Sequence, residues 1–535
     1  MSENNIAVQC PRRQCELGRA HKTALRWVDA DFIRQDFTFA DLEAESNRCA
    51  NAFTTLGCGK GSRIFIYLPA QPEVFFSFLG ILKMQSVAGL LFSNFGKSAV
   101  YDRLADAQAE VLITKSSLLR RIRESLPELP ALKTVLVVDA EEDEDEQIRS
   151  YTKLLAGKSD SYAVQPTTPD TPSVLHYTSG STGKPKGVLH VHGSLVHQRM
   201  TVEKILQLEE DDIYWCTADH GWVTGTTYGI YGPWSLGHTQ VHFGGNFNTE
   251  NWFRLLEEQK ITVWYTAPTA LRMLMREEAK INGFFDISAL KRMYSVGEPL
   301  NAEIIHWVRR VLGKEIYDTW FQTETGGHMI VNRPGMPIKP GSMGKPVDGT
   351  AAVVAEDGVV CETPNTVGAL WLKKGWPSMF ITYLNMPEAY QSKFHGDYYD
   401  TGDLAKIDED GYFWFVGRND DVINPSGHLV GPFEVESALL EMPEIVDVAV
   451  IGAPDPLLYE KIIAYVTLRD GEEWNRKLEL RCRIHITNRI SPIAVPGEYI
   501  VRDRLPKNRS GKIMRRVLKA EYLGEDLGDI STLEV

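Results

Sequence analysis

The residue types and spacings most suited to chemistry lie in Tyr177-Thr-Ser-Gly-Ser-Thr-Gly-Lys-Pro-Lys-Gly187. An apolar approach, Ser173-Val-Leu-His-Tyr177, reads as a strand leading into a loop of hydroxyls, glycines and two lysines. Glycines let backbone N–H groups come close to an anion, hydroxyls add donors, and lysines add charge. That combination suits a phosphate-gripping loop; taken alone it also suits a flexible polar turn. It is not the common P-loop, which needs four residues between its glycines and Ser or Thr directly after the Lys. Here two residues separate Gly180 from Gly183, and Pro185 follows Lys184. Tyr399-Asp-Thr-Gly-Asp403 reads as a tight turn bearing two carboxylates. Leu505-Pro-Lys-Asn-Arg-Ser-Gly-Lys512-Ile-Met-Arg-Arg516 reads as a basic, glycine-bearing loop entering a helix.

The elements that must position these loops have an α/β pattern. The first thirty-five residues read as irregular. Thr38 then suits a helix N-cap, with Leu42, Ser46, Cys49, Phe53 and Leu56 at helical spacing and Gly57 as the stop. A strand is predicted over residues 63–68 and a helix over 72–84, with further strands at 111–114 and 135–138. Strands at 262–266, 292–296 and 316–317 each run into a polar loop: Ala267-Pro268, Gly297-Glu298-Pro299, and Asp318-Thr-Trp-Phe-Gln-Thr-Glu-Thr-Gly-Gly327. Short apolar strands alternating with helices imply a mostly parallel sheet, and ligands bind at the carboxyl ends of such strands. Three such loops fit one shared site. Beyond Gly341 the strands shorten and turns increase, with a strand at 411–416. A small α+β unit follows, with a helix over about 433–441 and strands at 446–451 and 462–468.

Composition narrows the function. The chain has 535 residues, of which 43% are apolar, so two or more domains with sizeable cores are expected. A net charge of −14 argues against nucleic-acid or anionic-membrane partners, so a phosphate ligand needs a local site. Seven scattered cysteines show neither zinc spacing nor a disulfide framework, which fits a reducing, cytoplasmic setting. No signal peptide or transmembrane segment is predicted. The acidic run 141–146 reads as a solvated loop. His190 and His192 lack a third ligand and read as structural; His220 receives no role.

The three loops, in this order and spacing, resemble signatures of the adenylate-forming superfamily of acyl-CoA synthetases, luciferases and peptide-synthetase adenylation domains. The resemblance runs from about Thr38 to Leu523. The chain is most similar there to AMP-forming acetyl-CoA synthetases, through Tyr214-Trp-Cys-Thr-Ala-Asp-His-Gly-Trp-Val-Thr-Gly225, Tyr231-Gly-Pro233, Ser295-Val-Gly-Glu-Pro-Leu-Asn301, and Asp318-Thr-Trp320 with Gln322-Thr-Glu-Thr-Gly-Gly327.

This resemblance implies a large N-terminal domain (1–419) of mostly parallel αβ sheets plus a small β-barrel-like part. A small mobile α+β lid (420–535) follows, hinged at Asp420. It implies a carboxylic acid, ATP and coenzyme A as substrates, with Mg²⁺ as cofactor. Thr178, Ser179, Gly180, Ser181, Thr182, Gly183 and Lys184 would hold phosphates. Thr323 would donate to the α-phosphate, and Glu324 would ligate Mg²⁺. Asp403, taken as a lone buried carboxylate, would accept both ribose hydroxyls, backed by Arg418. Gly297, Glu298, Pro299, Asp318, Thr319, Trp320, Phe321 and Gln322 would line the nucleotide, and Lys512 would serve adenylation as the catalytic cation. Trp222, Val223, Thr224, Val296 and Phe321 would enclose the acid. Phe321 stands where acetate-specific relatives carry Trp, which implies room for slightly longer acids. Gly427 and Arg489 would meet coenzyme A.

Two departures stand out. Leu429 occupies the place of an arginine that reaches the phosphates, and Thr487 that of an arginine for the coenzyme A 3′-phosphate. They keep open a carrier-protein-loading enzyme and a weakly catalytic adenylate binder. The segment 506–512 also resembles a reversibly acylated site, which implies a protein acyltransferase and deacylase acting on Lys512. A monomer or small homo-oligomer is expected.

Overall fold

The computed structural model describes residues 4–179, 185–281, 283–350, 352–356, 358–425, 430–507 and 513–527. The expectations for Gly180, Ser181, Thr182, Gly183, Lys184, Gly427, Leu429 and Lys512 therefore lie outside the described residues.

Strands such as Val111–Thr114 and Val263–Thr266 are buried along their whole length. Such continuous apolar runs belong in parallel sheets covered on both faces. Two sheets of this kind form the main body. In the nine-stranded sheet, Ile316–Trp320, Arg292–Val296, Val263–Thr266, Ile213–Cys216, Thr239–Phe243 and Thr23–Val28 run parallel in that spatial order. In the eight-stranded sheet, Val87–Leu90, Arg63–Ile66, Val111–Thr114, Thr134–Val137 and Ile148–Ser150 run parallel to Pro172–Ser179. Helix Pro72–Lys83 opens on proline and buries nearly every residue, so it lies inside the body. Thr38 caps helix Phe39–Thr55 through a reciprocal box with Asp41.

The expected barrel-like part is a six-stranded antiparallel sheet spanning Ala352–Glu356 to Phe413–Arg418. After it, helix Pro432–Leu440 packs on a three-stranded sheet of Ile445–Asp455, Tyr459–Leu468 and Glu498–Val501. The apolar clusters divide at this point: two hold only residues from Ile423 onward, and none of the others has a member beyond Phe415.

Three local expectations are corrected. The N-terminus is not irregular: helical segments Val8–Arg12 and Cys15–Arg19 precede strands Thr23–Val28 and Arg34–Thr38. The segment is held by distant partners, with Ile6 N–H donating to His192 Nδ1 and strand Thr23–Val28 pairing with Thr239–Phe243. Residues 399–403 are not a tight turn but part of the ten-residue strand Tyr398–Ile407. Gly402 has φ +73° there, beside a shift of register against Gly368–Lys373. Residues 178–179 and 185–187 are strand rather than loop: they belong to Pro172–Ser179 and Pro185–Val191, which pair antiparallel with Ser179 opposite Pro185 and Thr178 opposite Lys186.

The acidic run is exposed and balanced by ion pairs of Glu144 with Arg123 and Glu142 with Lys153. All seven cysteines are free. No helix among the described residues is long and apolar enough to cross a membrane.

His176, His190, His192, His220, His242 and His328 are all buried. Burial lowers each pKa, to about 3 for His176 and His192 and about 4 for His190 and His220. In the unfolded chain such groups protonate near about 6.5. Between the two values the unfolded state binds more protons, so stability is complete above the unfolded pKa and is lost as pH falls towards the folded one. The thermal unfolding midpoint is expected to drop by several degrees between about pH 7 and about pH 5. A midpoint that stays level across that interval would contradict this.

Candidate active site

Strands Ile213–Cys216, Val263–Thr266, Arg292–Val296 and Ile316–Trp320 end at the same edge of one parallel sheet, so the segments that follow them meet there. Segment 321–327 is fastened to the neighbouring sheet and its surroundings. His190 Nε2 donates to Thr323 O at 2.8 Å, Gln198 Nε2 to Gly326 O at 2.8 Å, and Trp376 Nε1 to Thr325 O at 2.9 Å. Gly326 has φ +68°, and a Cβ there would stand 2.3 Å from Ser378 O, so only glycine fits. His190, a structural histidine, thus supports the backbone of the loop that carries Thr323 and Glu324.

Asp403 is not a lone carboxylate. Arg418 Nη1 donates to its Oδ1 at 3.0 Å. Trp320 Nε1 and Gln322 Nε2 donate to Oδ2 at 3.2 and 3.1 Å. The cause is the register of the antiparallel sheet, which sets Asp403 opposite Arg418 and brings both to the loop after Ile316–Trp320. Burial works against the Arg418 charge, but Asp403 and Glu324 outweigh it and raise its pKa. Tyr399 completes the network, its hydroxyl donating to Gln322 Oε1 at 3.2 Å.

Glu324 lies beside this network. Tyr383 Oη donates to its Oε1 at 2.8 Å, and no Lys, Arg or His among the described residues lies within ion-pair distance. Such a carboxylate, with one oxygen held and the other unpartnered among the described residues, fits one ligand of a Mg²⁺ ion whose remaining ligands are phosphate and water.

The residues expected at the nucleotide divide. Glu298 is bound by Arg272 and Thr269. Thr319 turns its hydroxyl to Ser295 O at 2.7 Å and to Tyr265 Oη, so that hydroxyl is already engaged by the protein. Asp318 is buried, with Oδ1 unpaired among the described residues, and burial raises its pKa well above the carboxylate range. Gly297 has φ +91° and Pro299 follows Glu298 in the same segment. Thr178 stands in the hairpin, and Ser179 ends its first strand.

Val223, Val296 and Phe321 belong to one buried cluster, and Thr224 is 7% exposed beside it. Phe321 packs edge-on against Tyr228 and His328 at 5.4 and 5.3 Å, and those two rings stack at 3.9 Å. Trp222 packs against Phe92 at 4.8 Å. Asp219, three residues earlier, has its pKa pushed up to about 6 by burial.

Asp420 is exposed in the turn directly after strand Phe413–Arg418. Beyond it, Asp447 pairs with Lys507 and, at 3.4 Å, with Arg276 of the main body. Asn301 Nδ2 donates to Ser437 Oγ at 2.7 Å. Lys507 and Ile513 pair with each other. Arg489, expected to meet coenzyme A, pairs with Glu441 at 3.1 Å, and Thr487, at the second departure, donates to Arg483 O at 2.8 Å.

The sequence profile described as AMP-binding enzyme matches residues 12–384, and that of the AMP-binding enzyme C-terminal domain matches residues 434–512. The chain belongs to the AMP-binding enzyme family. Within that family it is 46% identical over 532 residues to an acetyl-coenzyme A synthetase of Bacillus subtilis strain 168, covering 99% of this chain and 92% of that protein. It is 38% identical to one from Deinococcus radiodurans, covering 99% and 86%. A solved relative, the anthranilate CoA ligase AuaEII in complex with anthranoyl-AMP, superposes with a TM-score of 0.89 at 28% identity, covering 97% of each chain. The segment 177–187 lies within the first of the two profile matches and 505–512 within the second. Tyr383, Arg272 and His190 enter the site through contacts between distant segments, and none sits in a phosphate- or carboxylate-bearing motif.

Proposed function

We propose that this AMP-binding enzyme joins a short carboxylic acid to coenzyme A in two steps. The acid attacks the α-phosphorus of ATP and pyrophosphate leaves. The coenzyme A thiol then attacks the acyl carbon of the adenylate, and AMP leaves. The observation that carries this reading is the convergence of Trp320, Gln322 and Arg418 on Asp403, with Glu324 alongside, at the ligand edge of a parallel sheet. The curated relatives named acetyl-coenzyme A synthetase support the acid and thiol assignments.

In this reading Asp403 accepts from the ribose hydroxyls, and its orientation is fixed in advance by its three donors. The unpaired Oδ1 of Asp318 suits a base amine as donor. Thr323 and the hairpin tip hold the phosphates, and Lys512 offsets the charge on the attacking carboxylate and α-phosphate. Mg²⁺ held by Glu324 would neutralise phosphate charge. The split of apolar clusters between Phe415 and Ile423 supports a domain boundary with Asp420 as its hinge. A moving lid lets one site serve two reactions of different geometry.

Phe321 sets the far wall of the acid pocket, backed by the Tyr228–His328 stack. One methylene changes discrimination by only about 1–3 kcal/mol in such a pocket. The test is pyrophosphate release from ATP with straight-chain acids of two to six carbons and benzoate, with and without coenzyme A. Two- to four-carbon acids are expected to lead, with coenzyme A sustaining turnover. Phe321→Ala is expected to move the preference towards longer acids by about one to two orders of magnitude in relative kcat/KM. Release with none of the acids would favour an adenylate binder, and turnover that ignores coenzyme A would favour loading of a carrier thiol.

A further inference from the structure

A loop carboxylate with both oxygens in solvent samples several rotamers, and a metal ligand gains from being held in one. Glu324 is held at two points by a single short segment. Tyr383 Oη donates to its Oε1 at 2.8 Å, and Phe380 N–H donates to its backbone oxygen at 2.9 Å. Tyr383 is itself fixed: it is 2% exposed, and its ring packs on Phe380 at 4.9 Å. The strand Thr382–Tyr383 pairs with Val188 and Leu189. That pairing joins it to Pro185–Val191, the strand that leads out of the phosphate hairpin. Lys186 in the same strand places its ammonium 5.5 Å from the Tyr383 ring centroid.

We infer that Tyr383 is a positioning residue for the nucleotide-bound divalent cation: its phenol holds Glu324 Oε1, leaving Oε2 for the metal, and ties that carboxylate to the hairpin that grips the phosphates. This rests on Glu324 being the metal ligand. Partners of this kind, one bond removed from a metal, are worth about 10–100-fold in affinity. Tyr383→Phe keeps the ring, its packing on Phe380 and the ammonium contact, and removes only the hydrogen bond.

The test measures Mn²⁺ binding to the full chain by electron paramagnetic resonance, in the presence of α,β-methylene-ATP, which cannot be split at the α–β bond. Tyr383→Phe is expected to raise the apparent Kd for Mn²⁺ about 10-fold, while binding of the analogue without metal stays unchanged. Glu324→Gln is expected to weaken Mn²⁺ at least as much, and adding Tyr383→Phe to it should bring no further loss, because the two act through one carboxylate. Normal Mn²⁺ affinity in Tyr383→Phe beside a weakened Glu324→Gln overturns the inference and leaves the ligand reading intact. Normal affinity in Glu324→Gln overturns both. An equal loss of metal-free analogue binding in Tyr383→Phe shows that the phenol is structural, and overturns the inference as well.

Discussion

Replacing Lys512 with alanine is expected to slow acid-dependent exchange of pyrophosphate into ATP by about 10²–10³-fold, the cost of removing one group aimed at developing charge. Thioester formation from a preformed acyl-adenylate and coenzyme A is expected to stay within about threefold of the unsubstituted protein, because that step breaks no phosphoanhydride bond. The split follows from what each half needs. In the first, two anions must approach, and a cation between them lowers the barrier; in the second, the thiol meets a carbonyl carbon. Among the described residues on either side of Lys512, Lys507 pairs with Ile513 and with Asp447, which reaches Arg276 of the main body. Equal losses in both halves would remove Lys512 from the adenylation step.

The second large effect concerns Asp403. Asp403→Ala is expected to raise the KM for ATP by about 10²-fold. Two hydroxyl hydrogen bonds to a carboxylate are each worth about 1.5–3 kcal/mol. The lower end applies here, because Arg418, Trp320 and Gln322 already share its acceptor capacity. Asp403→Asn, which keeps one acceptor oxygen, should fall between. Arg418 keeps 40% of its side chain in solvent, so the uncovered charge is hydrated and the fold persists. The decisive comparison is ATP against 2′,3′-dideoxy-ATP: the unsubstituted protein should discriminate strongly and Asp403→Ala hardly at all. Undiminished discrimination in the variant would move the ribose contact elsewhere.

What the sequence made legible followed local rules. Thr38 and Asp41 announce a helix start, Pro72 opens another, and the run Arg292–Val296 reads as a buried strand; each is found as expected. The failures are non-local. Asp400-Thr-Gly-Asp403 has the composition of a turn, yet Thr401 Oγ1 donates to Leu370 O and the ladder with Gly368–Lys373 keeps it extended. Thr23–Val28 looked irregular because its parallel partner lies some two hundred residues away in Thr239–Phe243. Pro185-Lys-Gly is a poor opening for a strand by propensity, and pairing with Pro172–Ser179 overrides that. In the site, motifs pointed to Glu324 and Asp403, which have functional groups a nucleotide needs. They did not point to Tyr383, whose importance lies in what it holds, and they placed Trp320, Gln322 and Arg418 at the nucleotide without showing that all three donate to Asp403.

The contact of Asp447 with Arg276 has one more consequence. Arg276 keeps 38% of its side chain in solvent. An ion pair with one half-hydrated partner is open to screening, with a Debye length of about 8 Å at physiological ionic strength and about 3 Å at 1 M. Beside the neutral Asn301–Ser437 bond and the Phe415–Phe433 ring contact, the segment beyond Ile423 therefore has a link to the body that dissolved ions loosen.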